Sequence, residues 1–258
     1  MRIYNHSYKI CFLTLCACSV IFGLHSQPLR TAPVVKPVII RTIAHDPAAF
    51  TQGLILVDSL LYESTGLVGH STLRRIDASN GKALSKIPVP NVFAEGITIL
   101  NGELVQLTWQ NQFAIRYEFP SLRSTGMFKY NGEGWGLTNN GTDFIMSNGS
   151  DTLFFRNGKF EIIRRLPVTY NGRPLKHLNE LQYVNGSVYA NVWYKNFIVE
   201  ISLADGRVTK VIDCSELVNI ERPASKENVL NGIAFCKRKN EWYLTGKNWK
   251  NMFIVRIP

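Results

Sequence analysis

Metal-binding and thiol chemistry have little to work with in this chain. His45, His70 and His177 are widely spaced, and no His-Glu-x-x-His or similar cluster occurs; such clusters are the usual sign of a zinc site. Three of the five cysteines fall in the first twenty residues, leaving Cys214 and Cys236 with no Cys-x-x-Cys pair. Long basic runs are also missing. Although Lys+Arg outnumber Asp+Glu 29 to 19, the longest run is Lys237-Arg238-Lys239, so the clustered basic face of a nucleic-acid binder is absent. The body of the chain also lacks a capped amphipathic stretch of helical length. Of its 258 residues, 45% are hydrophobic and 19% charged, enough apolar material for a sizeable core in one domain or two.

The one long apolar run is Ile10 to Leu24, preceded by Arg2 and Lys9 and followed by polar sequence from Ser26. It is short for a membrane span and suits a signal peptide over residues 1–26, with Gln27 the first mature residue. The alternative is a lipoprotein signal that ends before an acylated Cys18. Either way residues 27–258 are expected to work outside the cytoplasm, periplasmic or extracellular, with no transmembrane span. An oxidising compartment permits a Cys214–Cys236 disulfide without requiring one.

Turn chemistry points to the fold. Asn-Gly occurs at Asn80, Asn101, Asn131, Asn140, Asn148, Asn157, Asn171, Asn185 and Asn231, and Asp205-Gly206 adds another. Both residues of this dipeptide tolerate positive φ, which makes it a strong hairpin signal. Between these turns lie short β-rich runs such as Phe197-Ile-Val-Glu-Ile201. The chain reads as all-β.

It also repeats. Phe50-Thr-Gln-Gly-Leu54 recurs as Phe93-Ala-Glu-Gly-Ile97, with weaker copies at Gly134-Trp-Gly-Leu137, Leu178-Asn-Glu-Leu181 and Leu230-Asn-Gly-Ile233. Aligning Gln52, Glu95, Trp135, Asn179 and Asn231 gives spacings of 43, 40, 44 and 52 residues. Five units of this length predict a five-bladed β-propeller. The last unit holds three clear strands, and Val34 to Ile43 is the natural fourth, closing the ring and removing its free edges. Equivalent positions of a propeller converge at one mouth. Taken singly, each aligned residue has a bland reading: Trp as core, Asn beside Gly as a turn, Glu or Lys as solvated surface. Together with Trp109, Trp193 and Lys247 they suit a small-molecule pocket with a few convergent polar groups.

The segments His45-Asp-Pro-Ala-Ala-Phe-Thr-Gln-Gly-Leu54, Tyr62-Glu-Ser-Thr-Gly66, Phe93-Ala-Glu-Gly-Ile-Thr98, Leu107-Thr-Trp-Gln110 and Gly132-Glu-Gly-Trp-Gly-Leu-Thr138 carry a resemblance. So do Leu178-Asn-Glu-Leu181, Tyr189-Ala-Asn-Val-Trp193, Leu230-Asn-Gly-Ile-Ala234 and Leu244-Thr-Gly-Lys-Asn-Trp249. In this order, from about Arg41 to the end, the chain resembles the plant and bacterial type of glutaminyl-peptide cyclotransferase, a five-bladed propeller. Two departures are Lys250 after Trp249 and Lys195-Asn196 after Tyr194.

The resemblance implies cyclisation of the N-terminal glutamine of peptides or proteins to pyroglutamate, with ammonia released. Such a substrate carries its own nucleophile, which suits a chain without a credible triad or zinc cluster. One carboxyl can carry the proton from attacking amine to leaving ammonia, especially in a dry aromatic setting that raises its pKa. Glu95 is the expected catalytic carboxyl and Glu180 the backup. The resemblance places Phe50, Gln52, Phe93, Trp109, Trp135, Asn179, Trp193 and Lys247 in the substrate pocket. It implies no cofactor for catalysis and leaves room for a structural calcium ion in the central channel. A monomer acting on peptides is expected. Two other classes remain open: a non-catalytic exported propeller that binds a ligand, and a calcium-dependent propeller lactonase or hydrolase.

Overall fold

Short alternating strands joined by tight turns assemble into five blades around one axis, with a separate two-stranded hairpin, Thr169–Tyr170 and Arg173–Pro174, beside them. Residues 31–258 and Met1 are described by the computed structural model, so the expected signal segment, Cys16 and Cys18 lie outside the described residues. Blade 1 comprises Thr51–Val57, Leu60–Thr65, Thr72–Asp77 and Ala83–Pro88. Blade 2 comprises Ala94–Leu100, Glu103–Thr108, Phe113–Glu118 and Ser124–Lys129, and blade 3 comprises Leu137–Asn139, Phe144–Met146, Thr152–Arg156 and Ile162–Pro167. Blade 4 runs Leu178–Val184, Ser187–Val192, Phe197–Ser202 and Val208–Asp213. Blade 5 takes Leu230–Cys236, Glu241–Gly246 and Asn251–Arg256 from the C-terminal region and Val38–Ala44 from the N-terminal side. The first strand of each numbered series is innermost. This is the five-bladed propeller predicted from the repeat.

The ring closes by antiparallel pairing of Val38 with Arg256 through Ala44 with Asn251. The expected strand Val34–Ile43 is in fact two strands. Lys36-Pro37 interrupts it, and Val34–Val35 instead adds in parallel to Val211–Ile212 at the outer edge of blade 4. Proline cannot donate to a ladder, so the chain changes sheets there.

The core is divided among the five seams. One apolar cluster lies between each pair of adjacent blades, for example Tyr62, Leu73, Ile97 and Leu104 between blades 1 and 2 and Leu230, Trp242, Leu244 and Phe253 with Ile198 and Ile212 between blades 5 and 4. Each fully buried aliphatic or aromatic side chain contributes about 1.5–3 kcal/mol, so every seam is held much like a small domain core.

One feature escaped the pattern reading. A short helix, Ser215–Glu221, follows blade 4 and accounts for the longest repeat spacing. Two turns are too few for a periodic signal, and it is stabilised by packing. Leu217 is buried in the blade 4–5 seam, and the Glu221 carboxylate accepts the Lys250 N–H and the Asn251 side-chain amide, both at 2.8 Å. Cys214 and Cys236 are both free and belong to different seams, so the disulfide that the sequence permits is not formed. Lys195, Asn196 and Lys250 are exposed loop residues.

Candidate active site

The aligned repeat residues are aimed by local backbone irregularity. In blades 1, 2, 4 and 5 the pairing of the innermost strand slips at the repeat, between Thr51 and Gly53, Ala94 and Ile97, Leu178 and Leu181, and Leu230 and Ile233. A bulge of this kind re-aims side chains at the end of a strand. Close approach of the blades helps. A Cβ on Gly53 would lie 2.6 Å from the Ile97 nitrogen, and one on Gly96 2.5 Å from that of Leu137. Neighbouring blades thereby press their strand ends together around the axis.

The result is a cavity of about 210 Å³ lined by Phe50, Gln52, Phe93, Glu95, Trp109, Trp135, Asn179, Trp193, Glu227 and Lys247. Its walls are aromatic. Phe93 meets Phe50 and Trp109 edge-on at ring separations of 6.0 and 5.5 Å, and Trp135 meets Trp193 edge-on at 5.3 Å. Its floor is polar and ordered. The Asn231 amide donates to the Thr51 carbonyl at 2.9 Å and to Gln52 Oε1 at 3.2 Å, and Gln52 Nε2 donates to Glu95 Oε1 at 2.8 Å. That chain fixes the carboxyl of Glu95 and leaves its Oε2 without a partner. Asn179 Oδ1, also buried, is likewise unpartnered. Unpaired buried acceptors are costly, and two of them around one cavity read as places for donors of a bound molecule.

Glu95 and Lys247 each oppose the shift that burial imposes on the other. Burial pushes the Glu95 carboxyl well above its usual 4.5; Lys247 opposes that rise and Glu133 adds to it. Burial lowers the Lys247 ammonium, countered by Glu95 and Glu227. Lys247 Nζ lies 4.8 Å from the centre of the Phe50 ring and 6.0 Å from that of Trp193, within reach of cation–π attraction.

A family profile described as glutamine cyclotransferase matches residues 12–257. The chain belongs to the glutamine cyclotransferase family. It is 35% identical over 225 residues to the glutaminyl-peptide cyclotransferase of Arabidopsis thaliana, covering 85% of this chain and 70% of that protein. The fold superposes on the crystal structure of Myxococcus xanthus glutaminyl cyclase with a TM-score of 0.83 and 33% identity, over 88% of this chain and 98% of that one. The protein is thus an enzyme of the cyclotransferase class.

All eight pocket residues anticipated from the sequence of this cyclotransferase line the cavity, and so does Glu95. Asn231 does not. It sits one layer behind, holding Gln52. Nor does Glu180, the backup carboxyl. Where blades 1, 2, 3 and 5 carry Gly53, Gly96, Gly136 and Gly232, blade 4 carries Glu180, whose side chain accepts the Leu54 N–H at 3.2 Å on the far side of the axis and also a backbone bond from Ile233. Glu180 therefore belongs to the central channel, not the cavity. Its Oε1 takes the Leu54 N–H, while its Oε2 is buried without a partner. Among the described residues no group of three or more His, Cys, Asp or Glu is placed to hold a metal.

Three residues were missed. Glu227 lines the cavity from the loop after the helix and accepts the Tyr194 hydroxyl at 2.7 and 2.9 Å. That loop lies outside the repeat, so no spacing marks it. Tyr194 stacks on Trp193 at 4.3 Å. Glu133 does not line the cavity but bonds its tryptophans. Its signal was present as an acid between two glycines beside Trp135.

Proposed function

We propose that the enzyme cyclises an N-terminal glutamine of peptides or proteins to pyroglutamate with release of ammonia, using Glu95 to move the proton. The observation that carries this reading is a buried carboxyl held by Gln52 with one free oxygen, in an aromatic cavity about the size of one residue. The glutaminyl side chain lies among Trp109, Trp135 and Trp193, and the α-amine approaches its own γ-carbonyl carbon. Ring closure is intramolecular, so fixing the attacking conformer is the larger part of the work.

The α-amine has a pKa of about 7.7–8, which leaves a usable neutral fraction near neutrality. Its nitrogen attacks the γ-carbon, a C–N bond forms and the carbonyl oxygen takes the electron pair. Ionised Glu95 accepts the ammonium proton through Oε2. It then returns that proton to the γ-nitrogen, the old C–N bond breaks, and ammonia leaves. Lys247, desolvated against Phe50, stabilises the negative oxygen, and Asn179 Oδ1 accepts an N–H of the substrate. No step uses a metal, so turnover by folded protein persists in chelator. Residues 27–258 do this work outside the cytoplasm as a monomer. No helix of the described residues is long and apolar enough to cross a membrane.

Incubation of the mature protein with a short Gln-initiated peptide tests the reading. Ammonia and a peptide lighter by one ammonia are expected. Tight binding of the peptide without ammonia release would mean a binding module instead, and loss of turnover on brief chelation, restored by zinc, would sink the metal-free mechanism.

A further inference from the structure

Glu133 contacts two walls of the cavity at once. Its Oε2 accepts the indole N–H of Trp109 at 2.9 Å and that of Trp135 at 3.0 Å, while its Oε1 accepts the Gln110 side-chain amide at 3.0 Å. The two tryptophans come from different blades. Trp109 follows the second strand of blade 2, and Trp135 precedes the first strand of blade 3. The backbone brings them together around the acid. The Gly134 N–H donates to the Trp109 carbonyl at 2.9 Å, and Gly132 takes φ +85°. A Cβ at Gly134 would overlap the Tyr130 hydroxyl, which itself donates to the Thr108 carbonyl. The turn Gly132-Glu133-Gly134 is therefore built tightly against the base of Trp109.

Trp109 needs such a hold, since it is 36% exposed and packs edge-on against Phe93. Without an anchored indole N–H its ring has no fixed rotation about the side-chain bond. We infer that Glu133 is a positioning residue, a carboxylate clamp that locks Trp109 and Trp135 in the orientation that receives the glutaminyl side chain. Its charge persists because the hydrogen bonds from Gln110, Trp135 and Trp109 outweigh the opposing effect of partial burial and hold its pKa below 4.5. Bonds from neutral donors to an ionised acceptor are among the stronger ones. The clamp has a second effect through space. Its negative charge helps keep the Glu95 carboxyl high, so the same residue shapes the wall and tunes the proton carrier that it does not touch.

The inference rests on the proposed cyclisation for its kinetic readouts but not for its structural one. Glu133→Ala removes all three bonds. In it the indole N–H resonances of Trp109 and Trp135, assigned by Trp→Phe variants, are expected to lose exchange protection and move upfield, with KM for a Gln-initiated peptide rising about tenfold or more, the equivalent of ~1.4 kcal/mol. Glu133→Gln keeps an oxygen that can accept from both indoles and removes the charge. It should recover most of KM while the acid limb of kcat against pH moves down, as loss of a nearby negative charge demands. Indole signals of Trp109 and Trp135 unchanged in a folded Glu133→Ala protein would overturn the clamp, whatever the activity. Unchanged KM in Glu133→Ala, or an unmoved acid limb in Glu133→Gln, would overturn its role in the reaction. If the wild type itself makes no ammonia, the cyclisation reading fails, and the resonances still decide the clamp.

Discussion

At the scale of single residues, the proposed chemistry turns on Glu95 keeping one free oxygen in a dry place. Glu95→Gln preserves shape and can still bond Gln52, but it cannot accept and return a proton. General acid–base help contributes about 10²–10⁴-fold, so kcat is expected to fall by that factor with KM little changed; near-full kcat in the folded variant would remove Glu95 from the mechanism. Trp193→Ala should do the reverse, raising KM more than it lowers kcat, because it removes the ring that Trp135 and Tyr194 both pack on. The pH profile gives a second check. Burial raises the Glu95 pKa, and the carboxyl must be ionised to act first as base. The acid limb of kcat should therefore lie clearly above 4.5; a limb in the ordinary carboxylate range would contradict the rise that burial imposes on Glu95. Steady-state rates from pH 4 upward, measured within the range of stable fold, settle it. The identities of these residues were legible before the structure because they recur at blade spacing. Glu227 and Tyr194 were not, since neither sits at a repeated position.

At the scale of elements, the repeat was readable because the innermost strands of blades 1, 2, 4 and 5 carry the same bulge. What that pattern could not separate was the two sides of the bulge. Asn179 and Glu180 are adjacent, yet the first faces the cavity and the second the axis, and residue type does not tell which. Nor do turn dipeptides all make turns of one kind. Asn101-Gly102, Asn171-Gly172 and Asn185-Gly186 have positive φ at both residues, as hairpins favour, whereas Asn231-Gly232 lies inside the innermost strand of blade 5. The close packing of innermost strands yields a prediction of its own. At Gly136 a Cβ would run into the carbonyl oxygen of Asn179 in the next blade. Gly136→Ala must push blades 3 and 4 apart, at a cost of about 1–3 kcal/mol for overpacking, and must shift the Asn179 side chain. Denaturant unfolding and peptide turnover should both register it, with activity falling further than the lost stability explains. Full activity in Gly136→Ala would show that the blades have slack at the axis.

At the scale of the whole molecule, the ring depends on a seam between chain ends that are far apart in sequence. Just past the closing strand, His45 is buried with Nδ1 on the Trp249 carbonyl at 2.6 Å and Nε2 on Glu63 at 2.8 Å, so one ring joins blade 5 to blade 1. Thr51 donates to the same carboxylate at 2.7 Å, and Arg74 lies 3.6 Å from its other oxygen. Burial alone would lower the His45 pKa, but the charge and hydrogen bond of Glu63 and the Trp249 carbonyl raise it above 6.5. Burial alone would raise Glu63, but His45, Arg74 and Thr51 bring it below 4.5. The histidine contribution is complete below pH 6.5 and lost as pH rises through the folded value; the carboxylate contribution is complete above pH 4.5 and lost as pH falls through its folded value. The pair is therefore worth most between those limits. Glu63→Gln, which leaves a buried histidine without its counter-charge, should cost of order 3–5 kcal/mol there, and the gap to wild type should narrow on the alkaline side. Unfolding free energies for both proteins from pH 4.5 to 9 provide the check, and a gap that stays constant would discharge the seam of this role. The same closure has a mechanical consequence. Val38 lies opposite Arg256 and Ala44 opposite Asn251, so a tether pulling residue 31 away from residue 258 first peels off Val34–Val35 and then loads the ladder from its Val38 end, one rung at a time. The propeller opens under tension like a zipper, at low force, although the same ladder resists sliding along its length.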